Sequence, residues 1–157
     1  MLRVRQLRLH QRLLVASGAG GIEGRGSSPA FAYAAAVGFQ ALHHVQVAMP
    51  AGEEDRAEAF YAGVLGLQRI EKPAVLADRG GCWFRRGSVE LHLGVEDPFR
   101  PARKAHPGVL VDDLDAVRAR LAGSGAEIVD APGFGGFRRF HTFDPFGNRL
   151  ELMEREG

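Results

Sequence analysis

The sequence predicts an α+β fold in which two βαβββ modules form one curled mixed sheet around a shared cleft. The main observation is an internal repeat: the same order of predicted elements, strand, helix and three strands, occurs twice between residues 42 and 153. Each copy is too small to bury both faces of its sheet alone, so the two copies should pack as one domain. The cleft is then expected where the two sheets curl towards each other.

The first copy begins with a β-type run from His43 to Met49 that Pro50 ends. Residues 53–65 form the next element. Their apolar positions follow the spacing of an amphipathic helix, and Gly66 ends it. Three short strands are predicted at residues 68–72, 82–85 and 88–93, the last two as a hairpin around Gly87.

The second copy repeats this order. Residues 106–111 are predicted as a strand, Asp112 or Asp113 as the N-cap of a helix, and residues 127–129, 138–143 and 149–153 as strands. The sequence from Asp144 to Asn148 combines aspartate, proline, glycine and asparagine in the order that a tight turn requires. A hairpin is therefore expected to end the chain.

Composition excludes several classes of protein. The chain has 157 residues, of which 45% are hydrophobic and 25% charged, which is typical of one globular domain. The single cysteine, Cys82, excludes a disulfide scaffold or a cysteine-based zinc site and predicts a reducing, cytoplasmic location. No apolar run is long enough to span a membrane, and no basic stripe with interleaved aromatic residues is present, so neither a membrane nor a nucleic acid is an expected partner.

Residues 1–38 differ from the rest, because they carry five arginines and one acidic residue, Glu23, followed by a Gly- and Ser-rich stretch. They could be a targeting peptide, a helix on a membrane surface, or an extension that is not part of the native fold. We favour the last interpretation and assign the folded domain to residues 39–157.

Several short motifs occur together in the order and spacing of one known family. They are His44 to Ala48, Phe60-Tyr61, Val64 to Leu67, Val111 to Leu114, and Asp144 to Leu152. With them, residues 41–155 resemble the vicinal oxygen chelate superfamily. That superfamily includes glyoxalase I, methylmalonyl-CoA epimerase, extradiol dioxygenases, fosfomycin resistance proteins and bleomycin-binding proteins.

The resemblance implies one divalent metal ion in the cleft, held by residues from the first and last strands of each module. The pattern falls on His44, Glu90 or His92, His106 and Glu151, and these donors suit nickel, zinc, iron, manganese or cobalt. His44 precedes His106 by 62 residues, and Glu90 precedes Glu151 by 61. A second spacing, 59 residues, relates His92 to Glu151, so the choice between Glu90 and His92 stays open.

The resemblance also implies a glyoxalase-type lyase or isomerase acting on a small oxygenated substrate, with Glu90 or Glu151 as the catalytic carboxylate. Arg139, Trp83 and Phe140 are the candidate substrate contacts, the arginine for an anionic group. A non-catalytic binding protein of the bleomycin-resistance type and a small extradiol dioxygenase are the alternatives. Members of the family often dimerise, so a homodimer is expected, with the cleft built within one chain or across two. Packing is the default interpretation of His141.

Overall fold

The computed structural model describes residues 38–157, and the fold occupies Gln40–Gly157. The prediction for residues 1–38 therefore lies outside the described part of the chain, apart from Gly38. No helix of the described residues is long and apolar enough to cross a membrane.

Two modules with the same order of elements make up the fold. The first contains β1 (Val45–Met49), α1 (Glu54–Glu58), β2 (Gln68–Ile70), β3 (Cys82–Arg86) and β4 (Val89–Val95). The second contains β5 (Gly108–Leu110), α2 (Leu114–Gly123), β6 (Ile128–Phe134), β7 (Phe137–Phe143) and β8 (Arg149–Arg155). A π-helical segment, Ala59–Val64, continues α1, and a 3₁₀ helix, Ala74–Arg79, precedes β3. The predicted βαβββ repeat is confirmed.

The two modules also share one topology. The first sheet has the order β1-β4-β3-β2 and the second the order β5-β8-β7-β6. In each sheet the first and last strands of the module are parallel, and the other pairs are antiparallel hairpins. The prediction described the modules as one curled sheet. In the structure each module forms its own four-stranded sheet, and the two sheets do not close on each other.

A shared apolar core joins the sheets, because alternate residues of each strand point to one side. Leu91 and Leu93 of β4 lie in the same core as Leu150 and Leu152 of β8, together with the buried faces of both helices. The residues that alternate with them, such as Glu90 and Glu151, consequently lie on the opposite face of each sheet. One face of each sheet thus holds the fold together and leaves the other for polar side chains.

The turn between β7 and β8 fastens the second module to the first. Asp144 Oδ1 accepts hydrogen bonds from the backbone N–H groups of Phe146 and Asn148, at 2.9 and 2.8 Å. Its Oδ2 accepts from Tyr61, in the first helix, at 2.9 Å. Asn148 Nδ2 donates to the backbone oxygen of Ala48 at 2.7 Å. Gly147 has φ of +88°, which its place in this turn requires. The predicted hairpin is confirmed.

Three boundaries differ from prediction. The first helix changes to π-helical hydrogen bonding at Ala59, a change that apolar spacing does not reveal. β6 continues to Phe134 through a bulge, because it pairs along β7 as far as Phe137. β5 begins only at Gly108, so His106 lies before the strand rather than in it.

Candidate functional site

The polar face of the second sheet carries a compact group of charged and imidazole side chains. We call His106, Arg139, His141, Arg149 and Glu151 the second-sheet cluster. His141 pairs with Glu151 across β7 and β8, and Arg139 and Arg149 lie two residues from these partners on the same face. β5 pairs with the other side of β8, which brings the segment before Gly108 beside Glu151.

Three side chains of this cluster could bind one metal ion. Ligand atoms of His106, His141 and Glu151 all lie within 4.8 Å of one another. Among residues 38–157, no other set of three or more histidine, cysteine, aspartate or glutamate side chains comes together in this way. His106 Nε2 is 3.5 Å from Glu151 Oε2, and His141 Nε2 is 3.6 Å from Glu151 Oε1. Two imidazoles and a carboxylate are donors that suit zinc, iron, nickel, cobalt or manganese.

Hydrogen bonds from outside the group determine which ring nitrogens are available. His106 Nδ1 donates to the backbone oxygen of Lys104 at 2.7 Å, which leaves Nε2 on the side of Glu151. His141 differs, because Arg149 donates to its Nε2 at 2.8 Å. Arg139 donates to Glu151 Oε1 and also to the backbone oxygen of Pro132. His106 Nε2 and Glu151 Oε2 are therefore the donors least occupied by protein partners.

The electrostatics keep Glu151 and His141 in their ligating protonation states. Burial raises the pKa of Glu151, but the hydrogen bond from Arg139 and the nearby positive charge outweigh that effect and lower it overall. Burial, and then the neighbouring Arg149, lower the pKa of His141. At neutral pH the pair is accordingly a carboxylate and a neutral imidazole, the forms that bind metals.

A second polar group lies on the first sheet. We call His44, Trp83, Arg85, Glu90 and His92 the first-sheet cluster. The ring of His92 lies between two others: Trp83 stacks on it at 3.8 Å between ring centres and His44 at 4.0 Å. Because Trp83 pairs with His92 across β3 and β4, this stack follows from the strand register.

Both oxygens of Glu90 are occupied by protein partners. Arg85 donates to Oε2 through Nε at 2.8 Å, and His92 Nε2 lies 2.8 Å from Oε1. These two hydrogen bonds, that of His92 first, lower the pKa of Glu90. Burial lowers the pKa of His92. Glu90 and His92 do share a face, as strand alternation predicts, but they bind each other.

The structure thus divides the predicted metal set between the two sheets. His106 and Glu151 come together, whereas Glu90 and His92 lie on the first sheet and His44 lies just before its strand β1. Among the described residues, no hydrogen bond, ion pair or ring contact joins the two clusters.

The three candidate substrate contacts are also separated. Arg139 lies in the second-sheet cluster and Trp83 in the first. Phe140 is fully buried on the core face of β7, where the guanidinium of Arg118 lies over its ring at 4.6 Å. Strand alternation directs it away from Arg139 and Glu151, so it does not reach the polar face.

Sequence reasoning missed His141 and Arg149. The signal was present, because a tight turn at Asp144–Asn148 fixes the hairpin register and counting outwards from it pairs His141 with Glu151. His141 is buried, as its default interpretation has it, but it also lies beside that carboxylate.

Comparison with known proteins is consistent with this fold. Residues 41–152 match the model of the Glyoxalase/Bleomycin resistance protein/Dioxygenase superfamily. A glyoxalase family protein from Bacillus anthracis is 45% identical, with a TM-score of 0.72 over 75% of this chain and 97% of that one. The fosfomycin resistance protein FosX from Listeria monocytogenes is 15% identical, with a TM-score of 0.59 over 74% and 93% of the two chains. TnmS3, an antibiotic binding protein from Streptomyces sp. CB03234, is 23% identical, with a TM-score of 0.57 over 75% and 100%. No curated protein matches the chain.

Proposed function

This chain belongs to the Glyoxalase/Bleomycin resistance protein/Dioxygenase superfamily, and on that premise we propose that it is a divalent-metal-dependent enzyme of the glyoxalase type. The observation that carries the proposal is the convergence of His106, His141 and Glu151 on one polar sheet face. The hydrogen bond from His106 Nδ1 to the Lys104 carbonyl supports the proposal, because such a bond orients the other ring nitrogen of a metal-binding histidine.

His106 and Glu151 would hold the ion, with His141 as the third donor once Arg149 gives up its hydrogen bond. A bound divalent ion supplies a Lewis acid that stabilises negative charge on the oxygens of a small oxygenated substrate. Arg139 would orient an anionic group of that substrate. Its ion pair with Glu151 places the guanidinium beside the proposed metal site, and a guanidinium can bind a carboxylate through two hydrogen bonds.

Glu151 is the stronger of the two candidate proton acceptors. Its Oε2 has no arginine partner in the described part of the chain, and its low pKa keeps it ionised until a proton is transferred. Glu90 has both oxygens engaged by Arg85 and His92, so it would have to lose one of these partners first.

We further infer that two copies of the chain work together. The two clusters lie on separate sheets, on the faces opposite the shared core, so the first-sheet cluster of one copy could face the second-sheet cluster of another. His44, His92 and Trp83 would then join a site that one chain leaves divided. Mixing a His44→Ala variant with a His106→Ala variant tests this, because one of the two sites in a mixed dimer would then be intact. Recovery of metal binding on mixing supports the arrangement, and two inert variants that stay inert together contradict it.

The test of the metal itself is elemental mass spectrometry on protein purified without chelator or metal-affinity resin. We expect about one ion of nickel, zinc, cobalt, manganese or iron per site, lost in His106→Ala. Glu156→Gln is the control, because it changes an exposed carboxylate outside both clusters. Circular dichroism must show that both variants remain folded. Full metal occupancy in His106→Ala would refute the assignment.

A non-catalytic binding protein is the second candidate, and one observation favours it. Arg139 and Arg149 already neutralise Glu151 and occupy His141, so the cluster is satisfied without an ion. Absence of metal even after reconstitution with each ion would support this candidate. Iron, together with catechol-dependent oxygen uptake, would instead indicate a dioxygenase. A cytoplasmic location stays a prediction, supported by the single buried cysteine.

A further inference from the structure

An apolar opening lies on the core side of the sheets, opposite the two polar clusters. We call it the hairpin gap. Its volume is about 720 Å³, and it lies between the β3–β4 turn, the end of the first helix and α2. Its walls include Leu65, Leu91, Val117, Leu150 and Leu152, which come from both modules. Volumes of this size, with apolar walls, are typical of small-molecule sites.

The difference between the two equivalent hairpins accounts for the space beside these apolar side chains. The β7–β8 turn inserts the side chain of Phe146 against the first helix and is tied to it by the hydrogen bond from Tyr61. The β3–β4 turn consists of Gly87 and Ser88, both exposed, and has no side chain long enough to insert towards α2. Leu110, at 57% exposure, extends the apolar surface at the rim.

Two arginines converge at the mouth of the gap. Arg86 donates to the backbone oxygen of Gly66 at 3.0 Å, and Arg120 donates to that of Gly63 at 3.3 Å. Nitrogens of both guanidinium groups lie 3.1 to 3.2 Å from the point that a Cβ on Gly66 would occupy, so the two positive charges are close together.

No carboxylate of the described residues forms an ion pair with either arginine. Asp112 and Asp113 also line the gap, but the Asp113 carboxylate accepts a hydrogen bond from the backbone of Ala116 as the N-cap of α2. The paired guanidinium groups therefore keep donors for an external anion, and a carboxylate fits their planar geometry.

We propose that the hairpin gap binds a small amphipathic carboxylate, of the medium-chain fatty acid type. Its hydrocarbon chain lies against the leucines of both sheets, and its carboxylate lies between Arg86 and Arg120. This site is separate from the proposed metal centre, because the gap is lined by the core faces of β4 and β8, whereas Glu90 and Glu151 occupy the opposite faces.

Titration calorimetry on chelator-treated full-length protein tests the proposal without depending on metal. Decanoate, below its micelle-forming concentration, is the probe, and decanol is the uncharged comparison. We expect decanoate to bind saturably and more tightly than decanol. Shortening the chain to octanoate should weaken binding by about two- to fourfold for each methylene removed.

Variants separate the charge from the cavity. Arg86→Gln combined with Arg120→Gln should weaken decanoate binding at least tenfold and leave decanol unchanged. Arg103→Gln, an exposed arginine outside the gap, should bind decanoate as the wild type does. Val117→Trp, which fills the gap while both arginines remain, should abolish binding of decanoate and decanol. Circular dichroism of each variant controls for folding.

Several results would overturn the proposal. These are no saturable binding of decanoate to the wild type, equal affinity for decanoate and decanol, or unchanged affinity in the double arginine variant. A groove covered by a second copy of the chain would give a different result: Val117→Trp would dissociate a dimer in analytical ultracentrifugation, and the wild type would not bind decanoate.

Discussion

The substitution Tyr61→Phe tests how the two modules are held together. Tyr61 is fully buried in the first helix, and its hydroxyl donates to Asp144 Oδ2 in the β7–β8 turn at 2.9 Å. Burial, and then the neighbouring Asp144, raise the pKa of Tyr61 far above its usual value, so the hydroxyl keeps its proton and stays a donor. The variant removes this donor and little else. Asp144 keeps its bonds from Phe146 and Asn148 but loses its only hydrogen bond with the first helix among the described residues.

A hydrogen bond to a charged acceptor contributes about 1.5 to 3 kcal/mol, and the more apolar phenylalanine ring offsets a small part of its loss. We therefore expect Tyr61→Phe to lower the free energy of unfolding by about 2 kcal/mol and Tm by roughly 6 to 12 °C. Urea denaturation followed by circular dichroism measures the change. Combination with Asp144→Asn should then cost less than the sum of the two single changes, since both remove the same contact. A loss below about 0.5 kcal/mol, or strict additivity, would refute the role given to this bond.

Three further changes test the site and the fold. Because the pKa of His141 is lowered, the unfolded chain binds this proton first, so stability should fall as pH drops below about 6.5. His141→Gln should flatten that part of a profile of Tm against pH, and a profile identical to that of the wild type would contradict it. Asp113→Ala removes the cap of α2 and should cost about 0.5 to 2 kcal/mol in urea denaturation, whereas Asp112→Ala should change little. Leu121→Ala, at a fully buried position of α2, should cost about 2 to 5 kcal/mol, with the exposed Leu110→Ala as its control; equal losses would contradict the assigned core.

Elements were predictable where local chemistry determines them. Glycine, proline and asparagine marked the β7–β8 turn, and the 62-residue offset between His44 and His106 reflected the repeat. The π-helical segment and the late start of β5 at Gly108 were not predictable. Both depend on tertiary packing, which outweighs local preference at the ends of elements.

The position of His106 illustrates this limit. As a residue of β5 it would have had to alternate with its neighbours, whereas it lies before Pro107, whose backbone oxygen accepts a hydrogen bond from Glu151 N at 3.0 Å. Its imidazole is held by the Lys104 carbonyl instead of by a strand partner. The contact between His106 and Glu151 therefore depends on loop geometry, and spacing alone could indicate the residue but not its orientation.

The two carboxylates that lie 61 residues apart differ in their cross-strand neighbours. Arg85 lies directly opposite Glu90, and the pair engages one carboxylate oxygen while His92 engages the other. His141 lies directly opposite Glu151, and Arg139 reaches that carboxylate only from the next position, opposite Met153. A permanently charged guanidinium opposite a carboxylate neutralises it, whereas a neutral imidazole adds a second donor atom. Among the described residues, Glu151 is accordingly the carboxylate with two imidazole neighbours close enough to share a metal ion with it.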